Sequence, residues 1–162
     1  MSDELKVPKR RVQVEVLLPG GAARQVTIFL AEFAPTHSGP ERLSDLLNAE
    51  DEFVPALDVE TDTMTFLSRR SIAAARVGSE WELGEQLTGG EQHEEVEITL
   101  TDGTQLRGTV SFVLPLGRTR LLDYLNDAQP FVRLAEKEKV ALINKRHVAR
   151  VAKVQPRPPK VA

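Results

Sequence analysis

The sequence predicts an all-β protein made of two tandem, pseudo-symmetric, five-stranded small barrels, each with one short helical turn. Three observations predict it. Blocks of residues recur in the same order along the two halves. Apolar runs mostly alternate with polar residues. Each half also holds one leucine pattern with helical spacing.

The recurrence comes first because it sets the organisation of the chain. VEVLLPGG at 14–21 aligns with VEITLTDG at 96–103, and RLSDLLN at 42–48 with RLLDYLN at 120–126. Phe53-Val54 aligns with Phe131-Val132, and MTFLSRRSIA at 64–73 with VALINKRHVA at 140–149. The offset is 82, then 78, then 76 residues, and the drift falls in loops. The expected division is a first barrel at 1–79, an acidic linker at 80–95, a second barrel at 96–154 and a basic, proline-rich tail at 155–162.

Within the first copy, Val12, Val14, Val16 and Leu18 follow the period-two pattern of a half-buried strand. Pro19-Gly20-Gly21 turns the chain, and Val26, Ile28 and Leu30 form the returning strand. The second copy repeats this with Val96, Ile98 and Leu100, a turn at Asp102-Gly103, then Val110 and Phe112. Asp-Gly between two alternating runs is a strong hairpin signal. Leu43, Leu46 and Leu47 are spaced i, i+3, i+4, one face of a helical turn, which Asn48 can close in the left-handed conformation. Three apolar runs follow in each copy, at 53–59, 64–67 and 72–77, and at 132–134, 140–143 and 148–154. A unit of about 65 residues is near the lower limit for a self-sufficient core, and closing it into a barrel removes its exposed edges.

The linker carries Glu80, Glu82, Glu85, Glu91, Glu94 and Glu95 with no basic residue among them, the pattern of a solvated run. Trp81 stands apart from it, either as packing across the two units or as an exposed anchor.

Composition excludes several functions. There is no cysteine, so disulfides and thiolate chemistry are ruled out and the usual structural zinc ligands are lacking. The net charge of -3 gives no global field toward nucleic acid or an anionic membrane. No apolar run approaches the roughly 20 residues that span a bilayer. MSDELKVPKRR lacks the apolar stretch of a signal peptide, so the expected location is the cytoplasm. G-x-S-x-G, P-loop and G-x-G-x-x-G motifs are absent, and His37, His93 and His147 have no metal-ligand spacing. The expectation is a protein without catalytic residues, cofactor or metal.

Charged residues supply the remaining candidates. Arg42 with Asp45 and Arg120 with Asp123 are spaced i, i+3 and are expected as structural ion pairs on the helical turns. Lys145, Arg146, Arg150, Lys153, Arg157 and Lys160 form a basic stretch without an acid, and Lys9, Arg10 and Arg11 form a second one. Such stripes contact phosphates, although one Trp, one Tyr and six Phe leave few aromatics for base stacking.

The segment V-x-I-x-L-x-D-G-x-x-x-x-G-x-V at 96–110 resembles the first signature of Sm-like barrels. Asp123-Tyr124-Leu125-Asn126 resembles the D-x-x-M-N that follows in that family, and Ile143 to Val148 is similar to its I-R-G-x-x-V. The combined pattern of RLxDxLN, then FV, then a strand ending in basic residues also resembles a group of uncharacterised bacterial domains. The resemblance implies candidate binding positions for a partner or RNA at Asn48, Arg69, Arg70, Asn126, Lys145 and Arg146, and the basic stretch adds Arg150. Neither copy has the family's Arg-Gly at the position of its last motif, where Ser68-Arg69 and Asn144-Lys145 stand, and Val26 replaces the second glycine in the first copy. The expected function is a non-catalytic protein–protein interaction module, an adaptor or regulatory subunit. The alternative is a single-stranded RNA-binding protein. A fused pair that satisfies its own edges is expected to be a monomer or homodimer.

Overall fold

The computed structural model describes residues 9–34, 37–82, 92–113, 120–127 and 129–154. The first half comprises β1 (Lys9–Leu17), β2 (Ala23–Ala31), α1 (Leu43–Leu47), β3 (Phe53–Asp58), β4 (Thr63–Ser68) and β5 (Ala74–Gly78). The second comprises β6 (Gln92–Leu100), β7 (Gln105–Phe112), α2 (Leu121–Leu125), β8 (Phe131–Ala135), β9 (Lys139–Asn144) and β10 (Val148–Lys153). Single 3-10 turns at Arg69–Ser71 and Lys145–His147 connect the last two strands of each half. The basic tail at 155–162 and positions 83–91 of the expected linker lie outside the described residues.

The fold is β-rich as expected, and the two halves share one strand order, β5-β1-β2-β3-β4 and β10-β6-β7-β8-β9. Registers coincide as well. Val16 stands opposite Ala75 and Ile98 opposite Val151, while Val54 stands opposite Leu67 and Val132 opposite Ile143. The repeat is therefore a repeat of strand pairing, interrupted in the second half by a register shift between Val148 and Arg150 and by a β7–β8 contact reduced to one pair.

Closure is different. In place of two closed barrels, the ten strands form one continuous antiparallel sheet, ordered β10-β6-β7-β8-β9-β5-β1-β2-β3-β4. The reason lies in β5. One edge of β5 pairs with β1, and the other pairs with β9 from Ala74↔Ile143 to Gly78↔Lys139. Both edges are used, so among the described residues β4 has no strand on which to close and pairs with β3 alone.

The cores follow the sheet. Val12, Val14, Val16, Val26, Ile28, Leu30, Leu43, Leu47 and Ile72 form the first cluster, and Phe131, Val140 and Leu142 of the second half complete it. Val96, Ile98, Leu106, Val110, Leu134 and Ile143 form the second, to which Leu17, Ala73 and Ala74 of the first half contribute. Each large apolar side chain fully buried this way contributes about 1.5–3 kcal/mol. Neither half buries a core of its own residues alone.

Local details follow the sequence with one correction. Gly103 turns the β6–β7 hairpin at φ 94°, a conformation that only glycine adopts without cost. Gly108 admits β8, since a Cβ there would lie 2.4 Å from the Ala135 carbonyl oxygen. Asn48 and Asn126 do end the helical turns, but at φ -90° and -89° rather than in the left-handed region. Their amides close the last turn onto Ser44 and Leu122 instead.

Because the cores interlock, the described chain should unfold in one cooperative transition. Leu142→Ala should lower its stability by about 2–5 kcal/mol. Its counterpart Phe66→Ala should change it by no more than about 0.5 kcal/mol in a dilute sample. Urea denaturation followed by both fluorescence and circular dichroism checks both figures and the single transition.

Candidate functional site

Most of the sites proposed from sequence gather at the junction between the halves, and the structure adds a second place that the sequence did not single out, the outer face of β3–β4. At the junction, two 3-10 turns and the ends of the helical turns meet. Arg69 is buried there and donates to the carbonyls of Ala49 and Leu46, the latter at 3.1 Å. Lys145, in the equivalent position, donates to the carbonyls of Leu125 at 3.1 Å and of Asp127. Burial pushes both cations below their usual pKa, with Asp51 and Asp127 respectively opposing it. Both side chains thus fasten a basic turn to the end of a helical turn.

Arg70 and Arg146 differ, because their side chains are exposed. Their backbone is held by Asn144, whose Oδ1 accepts from the Arg146 amide at 3.0 Å. Asn144 Nδ2 donates to the Ile72 carbonyl at 3.0 Å, binding one half to the other. A cleft of about 260 Å3 lies here, walled by both 3-10 turns, Pro130 and Phe131. Arg150 lies apart, exposed on the edge strand β10.

The two asparagines have different surroundings. Asn48 Oδ1 accepts the Phe131 amide at 2.8 Å across the junction. Asn126 is exposed, and its side chain has no partner among the described residues.

The helical-turn pairs divide likewise. Arg120 Nε lies 3.5 Å from Asp123 Oδ2. Asp45 Oδ2 instead accepts from the Arg42 amide at 2.8 Å and from His37 Nε2 at 2.7 Å. That bond to Asp45, helped by Ser38, raises the His37 pKa above its ordinary value of 6.5.

Sequence reasoning missed a buried ion pair. The Glu82 side chain is 0% exposed and meets Arg133 Nη2 at 2.7 Å, while its other oxygen accepts from the Ser44 amide at 3.2 Å. Arg133 also donates to Ser44 Oγ at 3.3 Å. Glu82 lies within the run expected to be solvated linker, and no local signal marks it as buried, since its partner is 51 residues away. Trp81 packs against the first core with the Arg10 guanidinium 4.9 Å from its ring centroid.

The second place is apolar. Phe53 is 57%, Met64 47% and Phe66 68% exposed. Phe66 stands opposite Pro55 and Met64 opposite Leu57, so these residues share the outward face of the β3–β4 pair. Their counterparts Phe131, Val140 and Leu142 are 2%, 0% and 0% exposed. Phe53 and Phe131, aligned by the repeat, therefore lie in different environments, while Leu43 and Leu121 are both buried. The same outward face exists twice, covered in one half and bare in the other.

Among the described residues, no group of three or more His, Asp or Glu is placed to hold a metal ion. No described helix is long and apolar enough to cross a membrane. His93 Nδ1 and Ser111 Oγ, 2.7 Å apart, are cross-strand neighbours on β6 and β7. Comparison of the chain with protein-family models, with curated proteins and with solved structures found no match.

Two outcomes follow. Glu82→Ala leaves Arg133 without its buried partner and should cost about 3–5 kcal/mol in urea denaturation; the double variant Glu82→Leu with Arg133→Met should recover most of that. For His37, the raised folded value means a stabilising contribution that is complete below pH 6.5 and is lost as pH rises through the folded pKa. An NMR titration of the His37 ring should give a midpoint above 6.5 that falls in Asp45→Asn.

Proposed function

We propose that this protein is a non-catalytic interaction module, an adaptor or regulatory subunit of the cytoplasm, that binds another protein chain through its β3–β4 edge. The observation that carries the reading is the bare apolar face of Phe53, Pro55, Met64 and Phe66 beside a strand with an unpaired edge. Exposed apolar patches rimmed by polar residues mark contact surfaces, and an open strand edge offers backbone hydrogen bonds to a partner. Aromatic residues such as phenylalanine are enriched at contact surfaces, where a few central side chains carry most of the binding energy. The repeated strand order supports reading each half as one Sm-like unit fused to the next.

A second reading, binding of single-stranded RNA, draws on the exposed Arg70 and Arg146 beside the junction cleft. It has less support, since Arg69 and Lys145 already serve backbone carbonyls.

The two readings separate in one experiment. The immobilised chain is compared with its Phe66→Asp and Arg146→Glu variants for protein and RNA captured from a lysate at two salt concentrations. The interaction reading expects protein captured by the wild type and by Arg146→Glu, and lost in Phe66→Asp. Capture of RNA alone, falling steeply with salt and abolished by Arg146→Glu, overturns it in favour of the second reading.

A further inference from the structure

Paired strand positions in one half have counterparts in the other, fixed by register. Val16 and Ile98 are counterparts, so Ala75 and Val151, which pair with them, are counterparts too. Phe66 pairs with Pro55 as Leu142 pairs with Arg133. The junction inside the chain joins β9 to β5. Their counterparts are β4 and β10, and among the described residues these are the two free edges of the sheet. A second junction of the same kind has all its parts present, but at opposite ends of one molecule.

The chemistry at the two ends is complementary. Inside the chain, Arg133 of β8 reaches Ser44 of α1. The counterparts of that polar pair are Pro55 and Leu122, both exposed and both apolar. Inside the chain, Asn48 accepts the Phe131 amide. Its counterpart Asn126 is exposed, at the place where the Phe53 amide of another copy would arrive. Val151 is only partly buried against the second core, where its counterpart Ala75 is fully covered.

We propose that copies of this chain associate head to tail, with β4 of one molecule adding antiparallel to β10 of the next. The proposal rests on the interaction reading and names its partner as a second copy. The internal register transfers to the new contact, placing Phe66 opposite Val151, Thr65 opposite Ala152 and Leu67 opposite Arg150 of the neighbour. Phe53, Met64 and Phe66 then cover the second core of that neighbour, as Phe131, Val140 and Leu142 cover the first core within the chain. Arg150 and Lys153 fit this contact by laying their aliphatic stems over Leu67 and Met64. Each copy uses a different patch on its two sides, so the contact is heterologous, and a pair of copies still has one β4 and one β10 edge free.

Sedimentation of the full chain tests the proposal. The expected result is a species of at least twice 18.0 kDa. Phe66→Asp should raise its dissociation constant by roughly thirtyfold or more, the range of an interface hot spot. The absence of cysteine gives a second test. Reduced Phe66→Cys and Val151→Cys are oxidised each alone and as an equimolar mixture. A disulfide-linked dimer in the mixture, with little from either alone, supports the register. Dimers from Phe66→Cys alone mean that the edge meets itself, and overturn it. A wild type that sediments as a monomer also overturns it. In that case, Phe66-dependent capture of a different protein would leave the interaction reading standing, and loss of capture as well would remove both.

Discussion

The pairing of β5 with β9 is the constraint on which the rest of the molecule depends. Each half alone is small, and its core is correspondingly poor. By using both edges of β5, the chain brings the outward face of β8–β9 over the first core and Leu17, Ala73 and Ala74 into the second. The duplication thus yields one structure in which the halves finish each other. The cost of the arrangement is asymmetry, since a line of two units has an inner junction and two ends.

Polar contacts set the junction's specificity. Arg76 on β5 bonds Glu15 at 3.0 Å and Glu136 at 2.8 Å, holding a β1 side chain and the turn after β8 to one guanidinium. Glu82 with Arg133 and Asn144 with the Ile72 carbonyl fix the approach at two further points. A one-residue slip would turn Leu142 away from the first core and break these contacts together. The same economy explains why much of the basic character near the junction is not offered to a ligand. Arg69 and Lys145 are tied to helical-turn carbonyls, which leaves Arg70 and Arg146 as the exposed cations there.

Much of this was legible in the sequence because it depends on local order. Period-two valines marked β1, β2, β6 and β7, and the leucine spacing marked both helical turns. The repeat predicted the same elements in the same order in each half, and the shared strand order agrees with it. What could not be read was which copy of a repeated residue is covered. Phe53 and Phe131 sit in the same motif, and only the order of the units along the sheet separates an exposed ring from a buried one. Glu82 was misread for a related reason. A glutamate among glutamates looks solvated until the fold brings Arg133 to it. Closure into barrels was expected because it removes edges within one unit. Pairing between units removes the same edge of β5 by another route, and a pattern inside one copy carries no trace of it.

The central claim is that β5 and β9 are interior strands of one sheet. Amide hydrogen exchange of the native chain measures this directly. Amides of β5 and β9 should exchange only through global unfolding, at the same free energy as those of β1 and β6. Exchange of β5 and β9 at a distinctly lower free energy, with β1 and β6 still protected, would show two units that part at this seam and would contradict it.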